Sequence, residues 1–167
     1  MKTKTLLLTT LMFAFLLNCS TGINAQTAKA NLDQVKLMPQ RLGTWEATVD
    51  KDTVLVREHQ EFGKGYTANM YYIIKGNKSP YHIANSCFDS KEGKFKGFTV
   101  YANGNFYTWI GLWTTEKKFS IDLVQNFNPE KVLGKVDYVY ETPTSMIETR
   151  FNAAGVKTVE RKYKKVK

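Results

Sequence analysis

The sequence predicts an all-β fold: a single up-and-down antiparallel β-barrel of about 8–10 strands behind a short N-terminal helical segment. Three observations predict it. The stretch Leu42-Gly43-Thr44-Trp45-Glu46-Ala47-Thr48-Val49 alternates, with Gly43, Trp45, Ala47 and Val49 on one face and Thr44, Glu46, Thr48 and Asp50 on the other. Strand-like runs then recur roughly every 10–14 residues, separated by short clusters of turn residues. No segment sustains a helical period. Hairpin-sized connections favour closure into a barrel, which removes sheet edges.

The elements follow in chain order. Residues 31–40 suit one or two helical turns ending near Pro39, with Leu32, Val35 and Met38 spaced to cap an opening. The Trp45 strand comes next and turns at Asp50-Lys51-Asp52. Residues 53–62 form a second strand, and Gly63-Lys64-Gly65 suits a tight hairpin. Residues 66–75 form a third strand, followed by a loop over residues 76–80. Strands over residues 81–89, 94–101 and 106–114 are joined by turns at Ser90-Lys91-Glu92-Gly93 and Ala102-Asn103-Gly104-Asn105. Residues 118–127 form a seventh strand, and residues 128–131 read as a loop. Strands over residues 133–141, 145–151 and 156–166 complete the chain.

The second strand has two readings. One face carries Val54, Val56, Glu58 and Gln60; the other carries Leu55, Arg57, His59 and Glu61. The Val face is the more apolar and is expected to point inward, which brings Glu58 into the interior. On the sixth strand Tyr107, Trp109, Gly111 and Trp113 share a face. Tyr and Trp join apolar area to a hydrogen-bonding tip, which suits a cavity lining. Gly111 leaves space there for a ligand or another side chain.

Residues 1–25 read as a signal peptide. Lys2 and Lys4 give a basic start, and Leu6 to Leu17 is apolar except for Thr9 and Thr10. That run falls short of the roughly 20 residues that span a bilayer. A cut after Ala25 leaves residues 26–167 as the barrel domain. Leu16-Leu17-Asn18-Cys19 also resembles a bacterial lipoprotein box, which makes acylation of Cys19 the alternative. The expected location is therefore secreted, periplasmic or on the envelope of a bacterium. Cleavage at Ala25 leaves Cys87 as the lone cysteine, expected to be a buried, inert strand thiol.

The formal charge is +9, and removing Lys2 and Lys4 leaves +7. Lys157, Arg161, Lys162, Lys164, Lys165 and Lys167 concentrate much of it at the C-terminus, against Glu160 alone. Such a tail suits weak attraction to an anionic surface. It lacks the aromatic interleaving of a single-strand binder, and nucleic acid is not an expected partner.

The short helical lead, Gly43-x-Trp45 on the first strand and the meander behind it resemble the lipocalin and wider calycin group. The similarity is nearest to bacterial secreted lipocalin-like proteins of unknown function. It implies that Trp45 packs at the closed end of a barrel against a late Arg, for which Arg161 is the candidate and Arg150 the alternative. Leu42-Gly43-Thr44-Trp45-Glu46 also resembles nitrobindin-type haem barrels. Those use a late proximal His, and this chain has none after His82.

No catalytic triad, metal-ligand spacing or phosphate loop is present, and no cofactor or metal is expected. The expected function is binding of a small hydrophobic or aromatic ligand in the barrel cavity, with Glu58, His82, Tyr107, Trp109 and Trp113 as candidate contacts. The alternatives are a filled barrel serving envelope interactions, or an isomerase- or hydratase-type enzyme. The enzyme reading would need an acid–base pair such as Tyr107 with Glu58, or His82 with Asp122.

Overall fold

The computed structural model describes Leu32–Lys167; the expected signal peptide and Cys19 lie outside the described residues. A helical turn α1 (Gln34–Leu37) is capped by Asp33, whose carboxylate accepts from the Lys36 N–H at 3.0 Å. It runs into a 3-10 turn (Met38–Arg41) with Pro39 near its start, where a missing N–H costs nothing. Met38 is buried, and Leu32 and Leu37 pack on the core, but Val35 is exposed. The expected Leu32–Val35–Met38 stripe is therefore corrected to one that uses Leu37.

Ten strands follow: β1 (Gly43–Asp50), β2 (Thr53–Phe62), β3 (Gly65–Ile74), β4 (Asn77–Asp89), β5 (Lys94–Tyr101), β6 (Phe106–Thr115), β7 (Lys118–Gln125), β8 (Asn128–Thr142), β9 (Ser145–Asn152) and β10 (Lys157–Lys165). Each is hydrogen-bonded to its chain neighbours, and β10 returns to β1, so the barrel is closed and antiparallel throughout. This closed antiparallel barrel fits a lipocalin-like or calycin architecture. Two expected loops are shorter than the sequence suggested. Residues 77–80 and 128–131 lie inside β4 and β8, because two-residue turns at Lys75-Gly76 and Asn126-Phe127 already reverse the chain.

The meander places successive turns at alternate ends. At the helix end, Gln34 exchanges two hydrogen bonds with the Trp113 backbone, at 3.0 and 2.7 Å, and Gln40 donates to the Glu116 carbonyl. Beneath this cap Trp45, Trp113, Phe119, Tyr140 and Met38 form a buried cluster. Trp45 meets Tyr140 edge to face at 5.8 Å, and its Nε1 donates to the Arg41 carbonyl at 3.0 Å. Gly43 has φ +101°, and a Cβ there would come within 2.3 Å of the Lys167 carbonyl oxygen. The Gly of the Gly-x-Trp pair is thus required where β1 crosses the chain end.

The β1–β10 ladder is the thinnest in the ring. It consists of Trp45 opposite Lys165 and Glu46 opposite Lys164, extended by bonds from Thr44 N to the Lys167 carbonyl (2.8 Å) and from Val166 N to the Thr44 carbonyl (2.9 Å). Beyond Glu46 the two strands part.

The register of β2 differs from the expected one. Ala47 pairs with Leu55, Trp45 with Arg57 and Gly43 with His59. Residues directly opposite share a face, so Leu55, Arg57 and His59 follow Trp45 inward and are buried. The expected inward Val face is corrected. Glu58 stands on the outer face, where its carboxylate accepts from Tyr71 Oη at 2.9 Å and Asn69 Nδ2 at 3.4 Å. Cys87 is also corrected: it is exposed on the outer face of β4.

Candidate internal site

The barrel interior is mostly filled. Trp109 fits because Gly97 faces it; a Cβ at Gly97 would lie 2.3 Å from the indole. The space beside Gly111 is taken by Phe119, 2.9 Å from an added Cβ. What remains is a cavity of about 60 Å³ between the helix-end cluster and a group of tyrosines. Tyr72, Tyr81, Tyr101 and Tyr107 contact in series, with ring centroids 5.2, 5.3 and 5.7 Å apart, and close the barrel toward its other end.

The cavity lining is polar and cationic. Arg41 reaches it from the 3-10 turn, Arg57 and His59 from β2, His82 from β4 and Arg150 from β9. Glu148, fully buried, answers two of these charges. It pairs with Arg57 Nη2 at 3.3 Å and with Arg150 Nε, and accepts from Tyr163 Oη at 2.7 Å. Burial alone would raise its pKa, but the Arg57 and Arg150 charges hold it down to about 2. Burial works against Arg57 as well, and Tyr138 and Glu148 outweigh it, so its pKa is raised.

Arg41 has no carboxylate partner, and its guanidinium meets the Tyr140 hydroxyl instead. No carboxylate lies within ion-pair distance of it among the described residues. It is buried at 6 % exposure, and its Nε has no hydrogen-bond partner. The guanidinium stacks on Phe119 at 4.2 Å and faces Tyr138 at 5.3 Å. Burial lowers its pKa, yet a guanidinium keeps its charge in any protein environment. His82 adds a second unpartnered buried atom, Nδ1. Its ring sits between Tyr81 and Tyr101, 4.9 Å from each. Burial, then Arg57 and Arg150, push its pKa down to about 3. His59 is also lowered, by burial and then by Arg41 and Arg57. Both imidazoles are neutral at pH 7. The cavity therefore holds three guanidinium charges against one carboxylate.

Of the sequence candidates, His82 and Trp109 line this cavity. Tyr107 touches it only through Tyr101. Trp113 belongs to the helix-end cluster. Glu58 is outside, so it makes no pair with Tyr107. Asp122 lies between Ile121 and Leu123, which line the cavity, and so faces away from His82. Arg161 does not pack on Trp45; Lys165 Nζ lies over that indole at 5.4 Å. Arg161 sits opposite Glu148 in register and lines a groove of about 860 Å³ where β1 and β10 part. That groove is open to solvent, and neither of the unpartnered cavity groups reaches it. Arg41, Arg57, His59 and Glu148 were missed as interior groups. The strand pairing opposite Trp45 would have found Arg57 and His59; Arg41, in a helical turn, carries no periodic signal. Among the described residues no group of His, Cys, Asp and Glu is arranged to hold a metal.

The chain matches no protein-family model and no curated protein.

Proposed function

We propose that this chain is an exported, lipocalin-like small-molecule-binding barrel whose ligand presents an anionic group to Arg41 and His82. The observation that carries the reading is a pair of buried nitrogens without hydrogen-bond partners, Arg41 Nε and His82 Nδ1, on residues that line one cavity. An uncompensated buried cation is costly, and an unbonded buried nitrogen adds to that cost. A bound anion offsets both. The aromatic walls supplied by Tyr101, Trp109 and Tyr138 suit a planar body beside that anion. The size of the cavity limits the body to a few heavy atoms, far below the roughly 300–1,000 Å³ of sites for larger ligands. The leader-like residues 1–25 support export.

Thermal-shift and calorimetric titration with formate, acetate and nitrate, against chloride at matched ionic strength, tests this. A saturable rise in Tm is expected for at least one anion, with about 2.7 kcal/mol of stabilisation at a hundredfold excess over Kd. The rise should vanish in R41M. Without anion, R41M should be as stable as the wild type or more so, because a buried unpaired charge has been replaced by an apolar chain of similar reach. If no anion shifts Tm beyond the chloride control, the binding reading falls. The filled-barrel interaction reading, which the small cavity favours, then takes its place.

A further inference from the structure

The barrel end opposite the helix differs from the helix end in a way the cavity does not explain. Each of its hairpins presents an exposed apolar side chain: Val49 beside the β1–β2 turn, Ile74 at β3–β4, Phe106 at β5–β6, Phe127 at β7–β8 and Val156 at β9–β10. At the helix end the β4–β5, β6–β7 and β8–β9 turns are polar, and the exposed apolar residues are Phe62 on the β2–β3 hairpin, Val35 on α1 and Val166 beside the chain end.

Phe127 is the most telling of these. The Asn126-Phe127 turn has positive φ at both positions, 50° and 59°. The equivalent Lys75-Gly76 turn places glycine at the second position, with φ 81°. A bulky aromatic in that conformation is strained. It is nevertheless pinned, its N–H donating to Thr108 Oγ1 at 2.9 Å, while its ring stays 42 % exposed. The turn displays the ring to solvent at a conformational cost that glycine would avoid.

The same rim carries a small excess of lysine. Lys51, Lys75, Lys78, Lys131 and Lys157 stand against Asp50, Asp52, Glu130 and Glu160, with Lys51 paired to Asp52 and Lys157 to Glu160. Lys75 and Lys131 have no ion pair among the described residues.

The geometry points to this rim as a docking surface for a lipid bilayer bearing anionic head groups. The apolar tips stand on five separate hairpins around the rim, and on one side they continue onto the outer wall through Val100, opposite Phe106, Ile83, opposite Val100, and Phe98. A soft plane accommodates such a ring at once, with the tips entering the acyl boundary and the lysines reaching the head-group phosphates. The outer wall carries Glu46, Glu58, Lys96 and Lys162, and its exposed apolar residues on β4, β5 and β8 (Ile83, Phe98, Val100, Val132, Leu133 and Val139) do not encircle the barrel, so the contact is end-on and does not span the bilayer. The inference is independent of what the cavity binds and of Cys19, and of the basic C-terminal strand it uses Lys157 alone.

Brominated-lipid quenching tests it. The three native tryptophans are buried, so quenching that appears only on introducing a surface Trp reports that position. F127W and F62W, each checked by circular dichroism for the native fold, would be mixed with vesicles of brominated phosphatidylcholine, with or without phosphatidylglycerol. Strong quenching of F127W on the anionic vesicles, little on the neutral ones and little for F62W on either is the expected result. Adding K75E and K131E to F127W should reduce the anionic-vesicle affinity at least fivefold. Equal quenching at both positions, or none at position 127, overturns the inference. So does concentration-dependent self-association abolished by F127S in the absence of vesicle binding, which would assign the rim to a second copy of the chain.

Discussion

Glu148 shows what a single side chain contributes here. It is the one carboxylate among the cavity guanidinium groups, and two of them depend on it. E148Q keeps the shape and removes the charge, leaving Arg57 and Arg150 buried without compensation. It should cost about 3–5 kcal/mol in urea denaturation. His82 acts in the opposite sense. It is buried neutral, so below its ordinary pKa of 6.5 the unfolded chain takes up a proton that the folded chain refuses until about pH 3. Stability contributed by neutral His82 is present above pH 6.5 and is lost as pH falls toward 3. Glu148 follows the same direction in a lower window, from its ordinary 4.5 down to about 2. His59, also buried neutral, acts in the same direction, so the urea midpoint should begin to fall below pH 6.5, before carboxylates titrate, and H82Q should reduce the part of that fall between pH 6.5 and 4.5 and leave the share due to His59.

At the scale of elements, the β7–β8 hairpin separates folding from display. F127G relieves the positive-φ strain and should raise stability by about 1 kcal/mol, read as a higher urea midpoint. A residue selected for the fold alone would not gain from its removal. Strand positions and turns were largely legible, because alternation and turn residues are local properties. The facing of β2 was not. Val54 and Val56 make one face look dry, and only pairing with β1 turns Leu55, Arg57 and His59 inward. The aromatic load was legible as a feature but not in its placement. Trp109 and Tyr101 line the cavity, while Phe106 and Phe127 look outward from the turns. Arg41 could not be read as an interior group at all, since its burial depends on where the 3-10 turn docks across the barrel end. The candidate site is thus set by register and by docking, both of which are long-range relations.

The whole molecule is a ring assembled from local hairpins and one distant joint. Nine of its ladders join neighbours in sequence, and the tenth joins the first strand to the last. Closing that joint orders nearly the whole described chain for a handful of hydrogen bonds, so it is the costliest contact in chain entropy and the least reinforced. The rest of the wall is continuous, and the internal cavity lies between the helix-end cluster and the tyrosines. The joint is therefore where the ring gives way first: the amides of Thr44 and Val166 should exchange with solvent ahead of those in the other nine ladders, read by hydrogen exchange under native conditions.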